Sequence, residues 1–205
     1  MPEILPPALN AEFILGAVKS TKFPQPLDLE LAFMGRSNCG KSSTLNRFVG
    51  RKSLARVSGT PGRTREINFF KVSWTKESSP FLIADLPGYG FAKVPKKMVE
   101  SWEALVGSYL SAPRNQKAFL LVDSRRKITQ DELMLLDSLD KLSIPTCVVA
   151  TKSDKLSFSE LSKTLALWKK ELRSGVNTLA FSALTGRGRQ ELYNFALGDF
   201  LSQTK

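Results

Sequence analysis

The glycine-rich stretch GRSNCGKS, residues 35–42, constrains the fold of this chain more than any other feature of the sequence. It matches the pattern G-x-x-x-x-G-K-[ST], in which backbone N–H groups wrap a phosphate. It follows the apolar run LELAFM and opens a segment with helical spacing that stops at Gly50. The sequence therefore predicts a strand–loop–helix unit with a phosphate at the helix N-terminus, where Lys41 would neutralise charge and Ser42 would bind Mg²⁺.

Strands and helices alternate along the rest of the chain. Apolar runs predict strands at 29–34, 67–74 and 80–88, and three more in KAFLLVD, PTCVVATKSD and NTLAFSA. With the helical stretches that separate them, this order predicts a mostly parallel six-stranded sheet with helices on both faces, a three-layer α/β fold. We expect residues 10–20 to form a short helix and KFPQP a linker, so that 1–28 form an N-terminal extension before a domain spanning 29–205.

The net charge of +11 and the pI of about 9.8 point to an anionic partner. Eight Lys and Arg residues, and no Asp or Glu, lie between positions 36 and 65, and further basic residues follow at Lys93, Lys96, Lys97, Arg125, Arg126 and Lys127. Two cysteines and no histidine argue against a zinc site and against a disulfide scaffold. The N-terminal residues lack the basic n-region of a signal peptide, and no apolar run is long enough to span a membrane, so we expect a cytoplasmic protein.

A second motif, DLPG at residues 85–88, lies at the end of another predicted strand, where ligands bind in folds of this class. Asp85 would hold a water of the Mg²⁺ shell, and the Gly88 N–H would meet a γ-phosphate. The stretch SGTPGRTREI before it has the composition of a mobile loop that a γ-phosphate could order through a threonine. Thr60 and Thr64 both qualify, and spacing alone does not decide between them.

Two more motifs follow the last predicted strands and favour guanine. In TKSD the Asp154 carboxylate can accept two hydrogen bonds from guanine N1–H and N2–H₂, while Thr151 braces the loop and the Lys152 stem lies along the base. Adenine lacks this pair of donors, so an ATP-using kinase, the second candidate among phosphate-loop proteins, leaves the carboxylate unexplained. In SAL, residues 182–184, backbone N–H groups could donate to guanine O6. The four motifs in this order predict binding of guanine nucleotides, GTP and GDP.

With these blocks in place the sequence resembles the EngB GTPases, which belong to the group that includes Era and TrmE. The resemblance runs from about Phe13 to the last helix and rests on LAFMGRSNCGKSSTLN, KSLARVSGTPGRT, INFF, DLPGYGFAKV, VDSRR, TKSDKL and FSALTGRG. It implies a P-loop GTPase with a Ras-like G domain, a monomer that hydrolyses GTP to GDP and phosphate. It also implies a role in large ribosomal subunit assembly and in normal cell division and septation. The alternative is a nucleotide-regulated RNA-binding module with negligible intrinsic hydrolysis.

The resemblance assigns the nucleotide contacts residue by residue. In the first two blocks they are Gly35, Arg36, Ser37, Asn38, Cys39, Gly40, Lys41, Ser42, Ser43, Gly62, Arg63, Thr64, Arg65 and Glu66. In the later blocks they are Asp85, Leu86, Pro87, Gly88, Thr151, Lys152, Ser153, Asp154, Phe181, Ser182 and Ala183. Ser42 and Thr64 match direct Mg²⁺ ligands and Asp85 a ligand through water, which selects Thr64. Glu66 and Arg126 depart from the Gln and His that are common in the family.

Tyr89 follows Gly88, where many GTPases have a polar side chain that orients water, and the chain has no histidine to act as a base. Phosphoryl transfer depends mainly on positioning and charge, so a cation can supply the missing part. The Asn38 side chain could reach a monovalent cation, and the resemblance extends to this chain the K⁺ that TrmE-type GTPases use; the alternative is that Asn38 only caps or stiffens the loop. We therefore expect Lys41, Asn38, Thr64 and Gly88 to act in catalysis.

The resemblance also gives the basic charge a partner, the RNA of the large ribosomal subunit or of its precursor. Part of the charge between residues 36 and 65 would serve the phosphates of the nucleotide itself. The partner prediction therefore rests on the later basic groups and on four residues of this stretch, Arg47, Arg51, Lys52 and Arg56. We expect these groups to face RNA in the GTP-bound state.

Overall fold

The computed structural model describes residues 7–55, 66–76, 78–90 and 96–202. The strands of this part of the chain are β1 (Asn10–Ala17), β2 (Glu30–Gly35), β3 (Ile67–Ser73), β4 (Phe81–Asp85), β5 (Gln116–Asp123), β6 (Thr146–Thr151) and β7 (Asn177–Ala180). The α-helices are α1 (Lys41–Val49), α2 (Lys96–Leu110), α3 (Gln130–Lys141), α4 (Phe158–Glu171) and α5 (Arg189–Ser202). None of the helices described is both long and apolar enough to cross a bilayer.

The strands form one sheet in the order β1-β3-β4-β2-β5-β6-β7. From β4 to β7 neighbouring strands run parallel, whereas β3 runs antiparallel to both of its neighbours, β1 and β4. The prediction of a mostly parallel α/β sheet is therefore confirmed. Because the parallel strands end at the same edge, the loops after β2, β4, β5, β6 and β7 meet there, and four of these loops carry the predicted motifs.

Residues 10–17 form an edge strand, so the prediction of a short helix over 10–20 is wrong. This strand, β1, pairs with β3 along its length, and the Phe13 ring packs edge-on against Phe70 at 5.7 Å. Pairing and ring packing with β3 outweigh a weak helical pattern, since tertiary contacts routinely override local propensity. The sheet consequently has seven strands instead of the predicted six. The division of the chain after residue 28 stays a prediction.

Alternate residues of the central strands feed two apolar layers, one on each face of the sheet. On β2, Leu31 and Phe33 face the layer that contains α1 and α5, whereas Ala32 and Met34 face the layer that contains α2, α3 and α4. All four side chains are at most 1% exposed. Burial on both faces explains why this strand reads as a continuous apolar run in the sequence.

Local sequence fixes both ends of α1 and the start of α3, the two helices that border the site. At the ends of α1, Gly40 (φ 99°) and Gly50 (φ 72°) have left-handed backbone, and the predicted stop at Gly50 is confirmed. At the start of α3, the Thr129 N–H donates to Glu132 Oε2 at 2.9 Å. This bond satisfies a backbone donor that the first turn of a helix would otherwise leave without a partner.

Candidate nucleotide site

The phosphate loop runs from Gly35, the last residue of β2, to Lys41, the first residue of α1. Gly35 has no room for a side chain, because a Cβ there would lie 2.5 Å from the Leu121 carbonyl oxygen. Asn38 (φ 62°) and Gly40 (φ 99°) have left-handed backbone, which asparagine adopts more readily than most residues. Asparagine at position 38 therefore suits the loop backbone, whatever its side chain binds.

Lys41 and Asp85 form an ion pair that joins the start of α1 to the end of β4, and their side chains are 13% and 8% exposed. Ser42 adjoins Lys41 in the first turn of α1. The structure thus brings together residues from two motifs that are more than forty positions apart. Among the described residues no cluster of three or more His, Cys, Asp or Glu could hold a metal. A hydroxyl and a carboxylate nevertheless fit Mg²⁺, which is usually held by few protein oxygens together with phosphates and waters.

The DLPG segment lies along the phosphate loop. The Ser37 N–H donates to the Tyr89 carbonyl oxygen at 3.0 Å, and the Tyr89 N–H donates to the Gly35 carbonyl oxygen at 3.4 Å. Gly88 approaches the loop so closely that a Cβ would lie 3.2 Å from the Ser37 backbone. Leu86 is fully buried in the core, so only its backbone can face a ligand. Gly88 is thus held beside the phosphate loop by backbone hydrogen bonds of its neighbour.

The Tyr89 side chain reaches α3. Its hydroxyl donates to Glu132 Oε1 at 3.1 Å, and its ring lies edge-on to the Trp102 ring at 5.8 Å. Burial and the neighbouring carboxylate raise the pKa of Tyr89, so the phenol stays protonated at neutral pH. The side chain at this position is therefore a hydrogen-bond donor to a helix, and neither a base nor a group turned towards a reacting water.

Thr151 and Lys152 connect the TKSD motif to the phosphate loop. Thr151 Oγ1 donates to the Cys39 carbonyl oxygen at 2.5 Å, and Lys152 Nζ donates to the Asn38 carbonyl oxygen at 2.6 Å. The Lys152 backbone is left-handed, with φ 53°. Cys39 is buried, and burial raises the pKa of its thiol to about 11, so the thiol stays neutral at neutral pH. Cys39 therefore supports the phosphate loop through its backbone carbonyl and its packing.

Asp123, the last residue of β5, holds Lys152 in place, a role that no sequence motif indicates. Its Oδ2 lies 3.0 Å from Lys152 Nζ, and Arg125 donates to both carboxylate oxygens at 2.9 and 2.7 Å. Burial alone would raise the pKa of Asp123, but hydrogen bonds from Arg125 and Lys152 outweigh it and lower the pKa. The only sequence signal was an acidic residue at a strand end, in the block VDSRR.

Ser182 orients the Asp154 carboxylate. Ser182 Oγ donates to Asp154 Oδ1 at 2.6 Å and accepts from the Thr185 N–H at 3.1 Å. The hydrogen bond from Ser182 lowers the pKa of Asp154, so the carboxylate is ionised at neutral pH. The Ser182 N–H itself donates to the Arg187 carbonyl oxygen at 3.0 Å. Of the backbone donors predicted for guanine O6, this one is therefore engaged within its own turn.

A pocket beside this carboxylate is lined by Ser153, Asp154, Leu156, Thr185, Gly186 and Arg187. The last three of these residues were not predicted, although the glycine-rich run TGRG follows the SAL motif directly. Gly188 in this run has φ 79°, and a Cβ there would lie 2.0 Å from the Ala180 carbonyl oxygen. The turn therefore depends on glycine to return beneath the end of β7. Phe181 is fully buried, so only its backbone can serve the site.

Part of the predicted site lies outside the described residues, namely Thr60, Gly62, Arg63, Thr64 and Arg65. Their roles towards the nucleotide and Mg²⁺ stay predictions. Glu66 is described, and its carboxyl group lies against Gly16 of β1, where a Cβ would be 2.4 Å from Glu66 Cδ.

Comparison with known proteins finds a matching family and close similarity to proteins of one name. The family described as 50S ribosome-binding GTPase matches residues 30–152. A probable GTP-binding protein EngB from Clostridium kluyveri is 43% identical over 185 residues, which cover 89% of this chain and 91% of that protein. A second protein of this name, from Pelotomaculum thermopropionicum, is 45% identical over 190 residues, covering 89% and 91%.

Solved structures agree with the fold. The crystal structure of a probable GTP-binding protein engB has a TM-score of 0.65 and 26% identity, and the match covers 84% of this chain and 99% of that one. Era from Aquifex aeolicus, bound to GDP and AlF₄⁻, has a TM-score of 0.69 and 22% identity, with coverage of 84% and 57%. The predicted three-layer P-loop GTPase fold is confirmed.

Proposed function

Because the chain belongs to the EngB family of GTP-binding proteins and is a GTPase, we propose that it acts as a GTP-driven switch in assembly of the large ribosomal subunit. The observation that carries the proposal is the match of residues 30–152 to a family described as 50S ribosome-binding GTPases. In this proposal the protein is a cytoplasmic monomer that normal cell division and septation require. Family membership favours this function over an ATP-using kinase and over an RNA-binding module that does not hydrolyse GTP.

The residues at the sheet edge support a division of labour on the nucleotide. Lys41 would neutralise the β- and γ-phosphates, and Gly88, held against the phosphate loop, would donate its N–H to the γ-phosphate. Asp154, oriented by Ser182, would accept the two donors of guanine. Ser42, Thr64 and, through water, Asp85 would hold Mg²⁺. Bound there, Mg²⁺ would supply the charge neutralisation that phosphoryl transfer needs.

Asn38 is our candidate for the remaining catalytic charge. Its side chain is exposed in the phosphate loop, where an amide oxygen can help to hold K⁺. Positive charge at this place would lower the barrier where charge develops on the β–γ bridge, and a tenfold effect corresponds to about 1.4 kcal/mol. Lys152 Nζ already lies 2.6 Å from the Asn38 carbonyl oxygen, so the side-chain oxygen is the better candidate ligand.

This role predicts faster GTP hydrolysis in K⁺ than in Na⁺ at constant ionic strength. Asn38→Ala should abolish the difference between the two salts while GDP affinity stays nearly unchanged, because base and β-phosphate contacts remain. Rates are compared with and without the ribosomal partner, because in this proposal the loop SGTPGRTREI, which carries Thr64, would close over the nucleotide on that partner. Equal rates in both salts with the partner present would exclude a potassium role.

The basic residues support an RNA partner, but contacts within the protein engage some of them and so reduce the set available to RNA phosphates. Arg125 is committed to Asp123, and the Arg51 guanidinium donates to the carbonyl oxygen of Leu9 at 2.8 Å. The described basic groups that remain exposed candidates for RNA phosphates are Arg47, Lys52, Arg126 and Lys127. Arg56 and Lys93 lie outside the described residues, and the side chains of Lys96 and Lys97 are not described.

Co-sedimentation with large-subunit precursors tests the proposed function directly. We expect the protein to bind them with a GTP analogue and much less with GDP, as a switch requires. Binding should weaken steeply as salt increases, because each phosphate contact releases counterions. Equal binding with both nucleotides would refute the switch, and a shallow dependence on salt would refute direct contact with RNA.

A further inference from the structure

Glu132, in the first turn of α3, is a carboxylate that is only 1% exposed. Its Oε2 accepts from the Thr129 N–H and hydroxyl, and its Oε1 accepts from the Tyr89 hydroxyl at 3.1 Å. A buried carboxylate is tolerated only when its oxygens are satisfied by such donors. The bonds from Thr129 explain the start of the helix, but the bond from Tyr89 reaches a different part of the chain, the segment that follows β4.

The segment after β4 has further contacts that fix its path. Trp102 Nε1 on α2 donates to the Pro87 carbonyl oxygen at 2.8 Å, and the Trp102 ring meets the Tyr89 ring. The Tyr89 backbone is in turn bridged to the phosphate loop through Ser37. Gly88 therefore lies between two anchored residues. The Pro87 carbonyl oxygen is held by Trp102 of α2, and the Tyr89 hydroxyl is held by Glu132 of α3.

The phosphate loop is anchored on the same turn of α3. An Arg36 guanidinium nitrogen donates to Asp131 Oδ2 at 3.1 Å and to Thr129 Oγ1 at 3.4 Å. The Arg36 side chain also lies over Gly90, where a Cβ would be 2.6 Å from Arg36 Nε. The start of α3 thus holds both parts of the site that would meet the γ-phosphate, and Glu132 is the buried member of the group.

We propose that Glu132 is a positioning residue for GTP recognition, which holds Tyr89 and through it keeps the Gly88 backbone where it meets the γ-phosphate. The proposal rests on the function proposed above for Gly88. GDP has no γ-phosphate, so the order of this segment contributes to GTP affinity and not to GDP affinity. If the segment is ordered in advance, GTP binding does not have to bear the cost of ordering it.

The test compares affinities of purified protein for GDP and for the non-hydrolysable analogue guanosine 5′-(β,γ-imido)triphosphate. Tyr89→Phe removes one hydrogen bond to a buried carboxylate and keeps the ring. We expect it to lower the preference for the triphosphate analogue by about fivefold or more, with GDP affinity unchanged within about twofold. A loss shared equally by both nucleotides, or no loss at all, would overturn the proposal.

Tyr109→Phe is the matched control. The Tyr109 hydroxyl donates to Glu30, which is also buried, at 3.0 Å, so this variant removes a bond of the same kind. Glu30 begins β2 and the phosphate loop starts at the other end of this strand, about 16 Å away. A general loss of stability would appear in both variants, whereas a changed preference for the triphosphate should appear only in Tyr89→Phe. The same change in both variants would overturn the positioning role.

Glu132→Gln provides a second, independent variant. Gln preserves helix capping in this position, so the fold should persist, but its amide replaces the charged acceptor of the Tyr89 bond. We expect a smaller loss of triphosphate preference, and no further loss in Glu132→Gln combined with Tyr89→Phe than in Tyr89→Phe alone. Fully additive losses would overturn action through this one bond.

Gly88→Ala separates this inference from the function on which it rests. A Cβ at Gly88 would lie 3.2 Å from the Ser37 backbone and should displace the segment. If this variant leaves the preference for the triphosphate unchanged, the proposed role of Gly88 fails and the inference fails with it. If Gly88→Ala lowers the preference and Tyr89→Phe does not, only the role of Glu132 is refuted.

Discussion

Replacement of Asp154 by Asn should change which base the protein binds. The carboxylate is 13% exposed, and one of its oxygens is fixed by the Ser182 hydroxyl at 2.6 Å. Ser182 Oγ already accepts from the Thr185 N–H, so its own proton is directed to Asp154. In the Asn variant the amide oxygen can keep this bond, and the amide NH₂ then takes the position of the other oxygen.

The magnitude follows from the two hydrogen bonds that a carboxylate offers to guanine. One charged bond, worth about 1.5–3 kcal/mol, is lost because two donors would face each other. The other becomes a neutral bond, and this change costs about 0.5–1.5 kcal/mol more. The sum, about 2–4.5 kcal/mol, corresponds to roughly a 30- to 2,000-fold loss of GDP affinity. Xanthine presents an acceptor where guanine presents its amino group, so XDP should gain a partner from the same substitution.

Calorimetry with GDP, XDP and ADP on the wild type and on Asp154→Asn measures both effects. We expect GDP affinity to fall by the stated factor, XDP affinity to rise, and ADP to bind weakly to both proteins. Asp154→Ala is the matched control, because it removes the carboxylate without offering a donor and should weaken GDP without favouring XDP. If Asp154→Asn weakens GDP and XDP equally, Asp154 does not read the base and the assignment of the TKSD motif is wrong.

Two further predictions concern the frame of the site. Gly188→Ala should destabilise the protein by more than the roughly 1–2 kcal/mol cost of left-handed backbone, because a Cβ would overlap a strand carbonyl. Gly175→Ala, at φ 90° with open space around it, should show the backbone cost alone, so equal midpoints of the two variants in urea denaturation would contradict the prediction. Asp123→Asn should raise the Kd of GDP roughly tenfold by releasing Lys152, but should have little further effect in a Lys152→Ala background; additive losses by calorimetry would mean that Asp123 acts by another route.

The sequence predicted the sheet edge well because its motifs carry local physical constraints. The phosphate loop needs a strand before it and a helix after it, and β2 and α1 end and begin where the motif requires. The parallel order of strands then fixes that the later motifs meet at the same edge. Neither inference needs any knowledge of which side chains touch, and for that reason both could be made from the chain alone.

β1 could not be predicted in the same way. NAEFILGA has prolines on both sides, Pro6 and Pro7 before it and KFPQP after it, and these end a short helix as readily as a strand. Its pairing partner, β3, lies about fifty residues further along the chain. The pairing decides the conformation of the edge strand, and this pairing is a property of the folded sheet rather than of the segment. The same limit applies to Asp123, whose partner Lys152 follows a different strand.

Tyr89 shows where sequence reasoning about the site stops. A tyrosine at position 89 indicates that the polar, water-orienting side chain of many GTPases is absent. The role of the tyrosine side chain itself depends on Glu132, 43 positions away. The order β4-β2-β5 brings the start of α3, which follows β5, within reach of the segment that follows β4. Because the Tyr89 hydroxyl is committed to this helix, it is not directed at an attacking water. In the proposed mechanism, water is placed by backbone groups near Gly88, by charge held in the phosphate loop, or by the proposed ribosomal partner. Comparing K⁺ with Na⁺, with and without ribosomal particles, distinguishes a potassium-dependent or partner-dependent source from the backbone.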